Sequence, residues 1–380
     1  MHPFARARER TRALNAAKIE RIFAKPFVAA FEGHGEAVET MSRRPESLNA
    51  IASGGWDGGL IVHDISRGTH MLRVEAAHKG KISGVCFADE NHLLSCGVDR
   101  NVKLWDTRQV DENGAGPSES QKPLSIFPGK AAFNSIDHHR SDPLFATAST
   151  IVQVWDETKS APISNLTFPT STETISAVRF NLSESSVLAS IGSDRTFTLY
   201  DIRTGKAERR VVMQAHVAAV TSCDWSPTGL EFVSGGWDRT VRVWKQGVGT
   251  QPEVYHTKRM QRVTSTLFTA DARFVLSGSD DGNVRMWKAR ASEKLGIIDA
   301  RERAAIEYRD TLKERWKFDP EVGKVSRTRH VPKPVYKASQ IKRTMLDAQR
   351  VKEERRRKHT RAGESKPKAE RKKVVITEQT

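Results

Sequence analysis

A unit that returns six times between Phe31 and Lys288 constrains this chain more than any other feature. Its clearest copy is Ala215-His216 followed by Ser234-Gly235-Gly236-Trp237-Asp238-Arg239-Thr240-Val241-Arg242-Val243-Trp244. Each copy ends on an aromatic-acid pair or its relic: His63-Asp64, Trp105-Asp106, Trp155-Asp156, Tyr200-Asp201, Trp244-Lys245 and Trp287-Lys288. Successive endings are 42, 50, 45, 44 and 43 residues apart. A near-constant period of this length marks a repeat architecture. The long interval holds the run from Asp111 to Ser120, polar and rich in Gly, Pro and Ser, which reads as a surface loop.

Inside a copy the apolar runs are short. Val220–Trp225 is followed by the turn Ser226-Pro227-Thr228-Gly229, then by Glu231–Ser234 and Thr240–Trp244. Three such runs and a fourth between copies predict a four-stranded antiparallel blade. A blade alone leaves both faces bare, so blades pack around an axis. The expected fold class is therefore all-β, a WD-repeat β-propeller with six detectable repeats. His216, Ser234, Asp238 and Trp244 have the spacing of the hydrogen-bonded tetrad of WD repeats, and His78, Ser95, Asp99 and Trp105 repeat it. The first copy has His34, Ser53 and Asp57 with His63 in the Trp place. The fourth keeps Ser190 and Asp194 with Tyr200, the last keeps Ser277, Asp281 and Trp287, and the third keeps only Ser149 and Trp155. A His-Ser-Asp trio could serve a nucleophile, but one that recurs from copy to copy is structural. No polar constellation lies outside these positions. The expectation is a protein that is not an enzyme, with no catalytic residue, cofactor, metal or small-molecule substrate.

Charge separates the ends from the body. The net charge is +16, of which residues 288–380 carry +14 and residues 1–27 carry +5, leaving −3 between them. One-signed ends on a near-neutral body predict an anionic partner. Ala5 to Ala24 reads as a helix with an apolar stripe through Leu14, Ala17, Ile19 and Ile22, ended by Pro26. Ile298 to Phe318 reads as a second, with Ala305, Tyr308, Leu312 and Trp316 on one side, closed by Pro320. His330 to Tyr336, with two prolines, is expected to be extended, and Ser339 to cap a helix reaching about Arg361. The domains so read are a basic helical extension over 1–26, a propeller over 27–289, a basic helical domain over 290–361 and a disordered basic tail over 362–380. Lys352, Arg355, Arg356, Arg357, Lys358, Arg371, Lys372 and Lys373 are the candidate phosphate-binding residues, reading charge rather than sequence. Their clusters also fit nuclear import signals. Cys86, Cys96 and Cys223 form no metal-type spacing and read as core thiols. No run is apolar for the roughly 18 residues of a membrane span, and Met1 to Arg6 has no apolar signal core. A soluble intracellular protein is expected.

Several segments between and beyond the copies resemble WD-repeat proteins with a C-terminal SOF-type domain. They are Arg12-Ala13-Leu14-Asn15-Ala16, Phe23-Ala24-Lys25-Pro26-Phe27, Ile136-Asp137-His138-His139, Val254-Tyr255-His256-Thr257-Lys258-Arg259-Met260-Gln261, Ala291-Ser292-Glu293-Lys294-Leu295-Gly296 and Arg329-His330-Val331-Pro332-Lys333. The resemblance implies a nucleolar component of the small-subunit processome. Such a protein acts in maturation of small-subunit ribosomal RNA beside pre-ribosomal proteins and a small nucleolar ribonucleoprotein. It also implies an alternative, a substrate receptor of a cullin-RING ubiquitin ligase that meets the ligase adaptor through a WDxR motif. Trp105, Asp106 and Arg108 match that motif, and Tyr200-Asp201-Ile202-Arg203 matches it with Tyr for Trp. The family pattern has seven blades. Here a unit is absent near Val211-Val212-Met213-Gln214, so the ring must re-close at six or stay open with bare strand edges.

Overall fold

The computed structural model describes residues 4–45, 47–107, 122–166, 175–181, 186–192, 196–204, 206–212, 216–245, 253–361 and 375–378. Its strands form six sheets arranged as blades. Blade 1 spans residues 38–74, blade 2 82–128, blade 3 135–166, blade 4 175–212, blade 5 220–255 and blade 6 263–288. The first strand of each blade lies innermost and the others follow outward. Blade 6 takes its outer strand from the N-terminal side: Phe27–Phe31 runs antiparallel to Val284–Lys288, with Phe31 opposite Val284. The innermost strand of blade 6, Val263–Phe268, lies along that of blade 1, Val38–Arg43, and Thr264 Oγ1 donates to the Val38 carbonyl. The ring is therefore closed at six blades, and at the missing-unit junction the innermost strands Ile175–Phe180 and Val220–Trp225 meet directly.

The seams alternate in chemistry. Thr40 and Ser42 of blade 1 accept from the main-chain amides of Val85 and Phe87 in blade 2, at 3.2 and 3.3 Å. Ser135 and Asp137 of blade 3 accept from Val178 and Phe180 in blade 4, at 3.4 and 2.7 Å. Ser222 and Asp224 of blade 5 accept from Thr266 and Phe268 in blade 6, at 2.9 and 2.8 Å. Inner-strand amides that have no neighbour in their own sheet are satisfied this way, as buried donors must be. The equivalent residues of blades 2 and 4, Gly84 and Cys86, Ala177 and Arg179, offer no such acceptor. Between blades 1 and 6, beside the Thr264–Val38 hydrogen bond, Val38, Met41 and Ile51 pack on Leu267, Leu276 and Val284. Between blades 5 and 6 a glycine is required at 235, because a Cβ there would lie 2.6 Å from Val263 Cγ1 of the next blade.

Four helices flank the ring: α1 (Ala5–Ile22), α2 (Ala300–Arg315), α3 (Pro320–Arg327) and α4 (Lys333–His359). Three expectations are corrected here. Pro320 does not close a helix but opens α3, with the Asp319 side chain accepting from the amides of Glu321 and Val322. Asp-Pro-Glu is an N-cap followed by a proline at the first helical position, where its missing N–H costs nothing. The same physics overturns the extended reading of His330 to Tyr336: α4 begins at Lys333 with Pro334 in its first turn, and Ser339 lies inside the helix, donating to the Tyr336 carbonyl. Finally, Val375–Glu378, expected in a disordered tail, forms a strand antiparallel to Lys206–Val212 of blade 4, with Thr377 opposite Arg210. An outer strand offers an unpaired edge, and Val-Ile-Thr is a β-prone run that fits it. Residues 362–374 lie outside the described part. Among the described residues no helix is long and apolar enough to cross a membrane.

Candidate nucleic-acid interface

The polar residues of the repeats are used up inside the blades. In blade 5 the Trp244 indole N–H donates to Ser234 Oγ at 2.8 Å, and His216 Nε2 lies 2.7 Å from the same oxygen. The serine proton therefore points at Nε2, leaving Nδ1–H to donate to Asp238, 3.0 Å away. Burial alone would raise the Asp238 carboxyl, but the hydrogen bonds from His216 and Thr240 and the charge of Arg242 bring it down to about 2. Blade 2 repeats the set: Trp105 to Ser95 at 2.8 Å, His78 to Ser95 at 2.6 Å and His78 to Asp99 at 3.0 Å. In blade 3 the tetrad serine is not Ser149: Trp155 donates to Thr147 at 2.8 Å, because that hairpin is two residues shorter. In blade 1 two imidazoles share Ser53, with His34 Nε2 and His63 Nε2 each 2.7 Å from its hydroxyl. Asp194 of blade 4 lies outside the described residues.

The WDxR residues divide. Trp105 is buried in its tetrad, Asp106 ends the third strand of blade 2, and Arg108 lies outside the described residues. In blade 4 Asp201 accepts the Arg203 amide at 2.9 Å and the Arg203 side chain is exposed. Strand-end aspartates elsewhere also fasten turns: Asp156 accepts from the amide and hydroxyl of Thr158, which hold its carboxyl at about 2.

The helical ends, far apart in sequence, form one body. Ala13, Ala16 and Ala17 of α1 are buried, not the Ile22 of the expected stripe, and small side chains let α1 approach α2 and α3 closely. Leu312 and Val322 complete that contact with Leu14 and Trp316. Charge pairs lock it: Arg10 to Asp319 at 2.7 Å, Arg315 to Glu9 at 2.5 Å and Lys313 to Glu20 at 2.7 Å. This body is joined to the propeller through Glu253 of blade 5, which lies 3.9 Å from Arg21 and 2.5 Å from Arg329, with burial raising its carboxyl. Beside it Tyr255 stacks on Trp287 at 5.8 Å and donates to the Ala289 carbonyl at 2.9 Å, while Phe27 meets Trp287 edge-on and Ala24 packs on the same cluster. His256 and His330 face each other with ring centres 5.3 Å apart.

Four of the segments quoted from the sequence meet at this joint, Arg12 to Ala16 packs within the helical body, and Ile136 to His139 supplies Asp137 to the seam between blades 3 and 4. Sequence reasoning missed Glu253 entirely. Its only signal is its place immediately before the Val254 segment.

From the joint α4 extends over 27 residues with none buried. It carries 10 Lys/Arg against 3 Asp/Glu. Lys352, Arg355, Arg356, Arg357 and Lys358 are all exposed, and no ion pair among the described residues engages the last four. Lys342 Nζ donates to the His216 carbonyl at 2.8 Å, tying the helix to blade 5. Arg371, Lys372 and Lys373 lie outside the described residues. Such a surface suits phosphates met without sequence readout.

Two family models match this chain. Residues 289–375 match the Sof1-like domain. Residues 70–106, 208–245 and 253–288 match the WD domain, G-beta repeat. The chain is 36% identical to DDB1- and CUL4-associated factor 13 of Mus musculus over 419 residues, covering 99% of this chain and 92% of that protein. The Homo sapiens protein of the same name gives the same figures. Protein SOF1 of Saccharomyces cerevisiae is 35% identical over 408 residues, covering 92% of this chain and 83% of that protein. An alignment of 419 positions exceeds this chain's 380 by 39, about the length of one repeat.

Proposed function

The chain belongs to the WD-repeat proteins with a C-terminal Sof1-like domain, and we propose from that membership that it is a non-catalytic scaffold in ribosome biogenesis, required for small-subunit ribosomal RNA maturation as part of the small-subunit processome. In this reading residues 27–289 are the scaffold, residues 1–26 and 290–361 form the particle-facing body, and the protein resides in the nucleus and nucleolus. The observation that carries the reading is the match along nearly the whole chain to relatives of the Sof1 type. The joint at Glu253 supports it, since four of the six segments of the family resemblance meet there. The exposed cations of α4 supply the electrostatic contact to pre-ribosomal RNA and its small nucleolar ribonucleoprotein.

The test is affinity purification of the chain with identification of the RNA that accompanies it. Ribosomal RNA precursor is the expected companion, and its absence overturns the reading. Replacing Arg355, Arg356, Arg357 and Lys358 by Gln is expected to weaken RNA association and to flatten its salt dependence by roughly one unit of log–log slope for each phosphate no longer neutralised.

A second reading, a substrate receptor of a cullin-RING ligase, is favoured by the DDB1- and CUL4-associated name of the vertebrate relatives and by Trp105-Asp106-Thr107-Arg108. Here Arg108→Ala is expected to abolish pull-down of the adaptor. A parent chain that pulls down no adaptor removes this reading.

A further inference from the structure

One end of the propeller carries a set of equivalent turns. The residue that opens the turn between second and third strands donates its main-chain amide to a residue just ahead of an innermost strand: Trp56 to Ala37 at 2.9 Å, Val98 to Lys81 at 3.3 Å, Trp237 to Ala219 at 3.0 Å and Asp280 to Arg262 at 3.1 Å. These four side chains therefore stand at matching places around the ring. Two of them are tryptophans that are 47% and 51% exposed, large apolar rings kept in solvent by turns the fold holds firmly. Each has a cation of the following blade over its ring. Lys81 lies 4.9 Å from the Trp56 ring centre and Arg262 lies 4.7 Å from that of Trp237.

The two sites share a construction but not an environment. At Trp56 the carboxylate of Glu39 accepts the indole N–H at 2.8 Å and the Lys81 ammonium at 2.6 Å. Glu36 and Asp57 are exposed in the adjoining connection and turn. At Trp237 the same turn continues into exposed Arg239, and the connection that leads to Arg262 exposes Lys258 and Arg259. Blade 5 is also the blade to which Lys342 ties the basic α4. The acid on that side is Asp280, whose carboxyl is raised by burial against the pull of Arg262. The cation differs too. A guanidinium is planar and extends the stacking surface of an indole, whereas an ammonium is a compact point charge.

We infer that Trp237, with Arg262 lying over it, is a stacking platform for an unpaired base of single-stranded RNA, the adjoining phosphates being met by Arg239, Lys258 and Arg259. The inference rests on the RNA reading above and adds the place and the chemical form of the contact. Bases stack on aromatic rings and on arginine planes without regard to sequence, and a polyanion approaches only where cations surround the ring. Trp56, ringed by carboxylates, is then excluded as a second platform.

The test measures affinity of the full chain for a short, unstructured, fluorescently labelled single-stranded RNA. Trp237→Ala is expected to weaken binding about five- to a hundred-fold, the range for loss of one stacked base. Trp237→Phe retains most of the affinity, Arg262→Glu loses it, and Trp56→Ala binds as the parent does. Melting temperatures check that each variant folds. The inference is overturned if Trp237→Ala and Arg262→Glu both bind like the parent. It is equally overturned if Trp56→Ala loses as much as Trp237→Ala, or if Trp237→Ala keeps RNA affinity while losing a protein from purified particles. Loss of binding only on replacing Arg355 to Lys358 leaves the proposed function standing and removes the platform. A parent chain that binds no RNA removes both.

Discussion

Asp137 and Arg179 face each other at 3.0 Å across the seam between blades 3 and 4, and the same guanidinium donates to the main-chain carbonyl of Met41 in blade 1, 3.1 Å away. Blades 1 and 4 are opposite members of the ring, so Arg179 crosses its axis. Arg43 of blade 1 makes the complementary reach to Asp224 of blade 5, at 3.1 Å, and to the Phe268 carbonyl of blade 6, at 3.0 Å. Two arginines and two aspartates therefore balance at the axis. They tie blade 4 to blades 3 and 1, and blade 1 to blades 5 and 6, across the axis.

Removing one member of this set leaves its partner charged, buried and unpaired. Arg179→Leu is expected to destabilise the propeller by about 3–5 kcal/mol in urea unfolding. Burial already raises the Asp137 carboxyl against the pull of Arg179. Adding Asp137→Asn to Arg179→Leu should therefore recover part of the loss. Equal stability of the single and double variants would show that the two residues do not act as a pair.

Asp238 holds His216, Thr240 and Arg242 in one buried set, with Thr240 Oγ1 donating to it at 2.7 Å and Arg242 at 3.3 Å. Asp238→Ala leaves those donors without an acceptor. The expected cost is about 1–3 kcal/mol, read as a lowered thermal midpoint. An unchanged midpoint would mean that the tetrad does not stabilise blade 5.

Acid should weaken the ring through its histidines. Burial pushes His34, His78 and His216 below the ordinary value and brings His63, further lowered by the charges of His70 and His34, down to about 3. A depressed folded value means that the unfolded chain takes up protons first. The stability from neutral histidine is full above about pH 6.5 and is lost as pH falls towards 3. Asp238, lowered from 3.8 to about 2, loses its contribution between those values, so the two windows overlap only at the acid end of the histidine window. His63 is the histidine to replace, with its Nε2 2.7 Å from Ser53 Oγ and its Nδ1 3.2 Å from His70 Nδ1. His63→Gln should reduce the slope of unfolding free energy between pH 6.5 and 5, by an amount that approaches about 1.4 kcal/mol per unit at the acid end. Urea titrations across that range check it, and an unaltered slope would place the proton uptake elsewhere.

The repeats were legible because tetrad residues need fixed offsets to meet, and a chain shows offsets directly. The Thr147 position escaped that reading because a hairpin shortened by two residues moved it relative to Trp155. Pro320 and Pro334 escaped it because proline both ends and begins helices; Asp319 tells which for Pro320, and no side-chain cap tells it for Pro334. The joint could not be read at all. Glu253, Arg21 and Arg329 carry no mutual spacing, and their relation exists only once α1 and α3 are placed beside blade 5.

Glu253 is the acid that holds an arginine from each end of the chain, and Arg21 also donates to the Ser326 carbonyl at the end of α3. Glu253→Ala leaves two guanidinium groups facing each other with no carboxylate between them. Both helical ends should loosen from blade 5 together while the ring, whose tetrads and axial pairs are untouched, keeps its melting midpoint. Limited trypsin digestion reads this directly: cleavage at Arg21 and at Arg327 or Arg329 should accelerate in step, with Glu253→Gln intermediate because its amide oxygen still accepts. Cleavage accelerating at one end alone would show that the two ends are held independently, and no acceleration would show that the Tyr255–Trp287 cluster suffices to hold them.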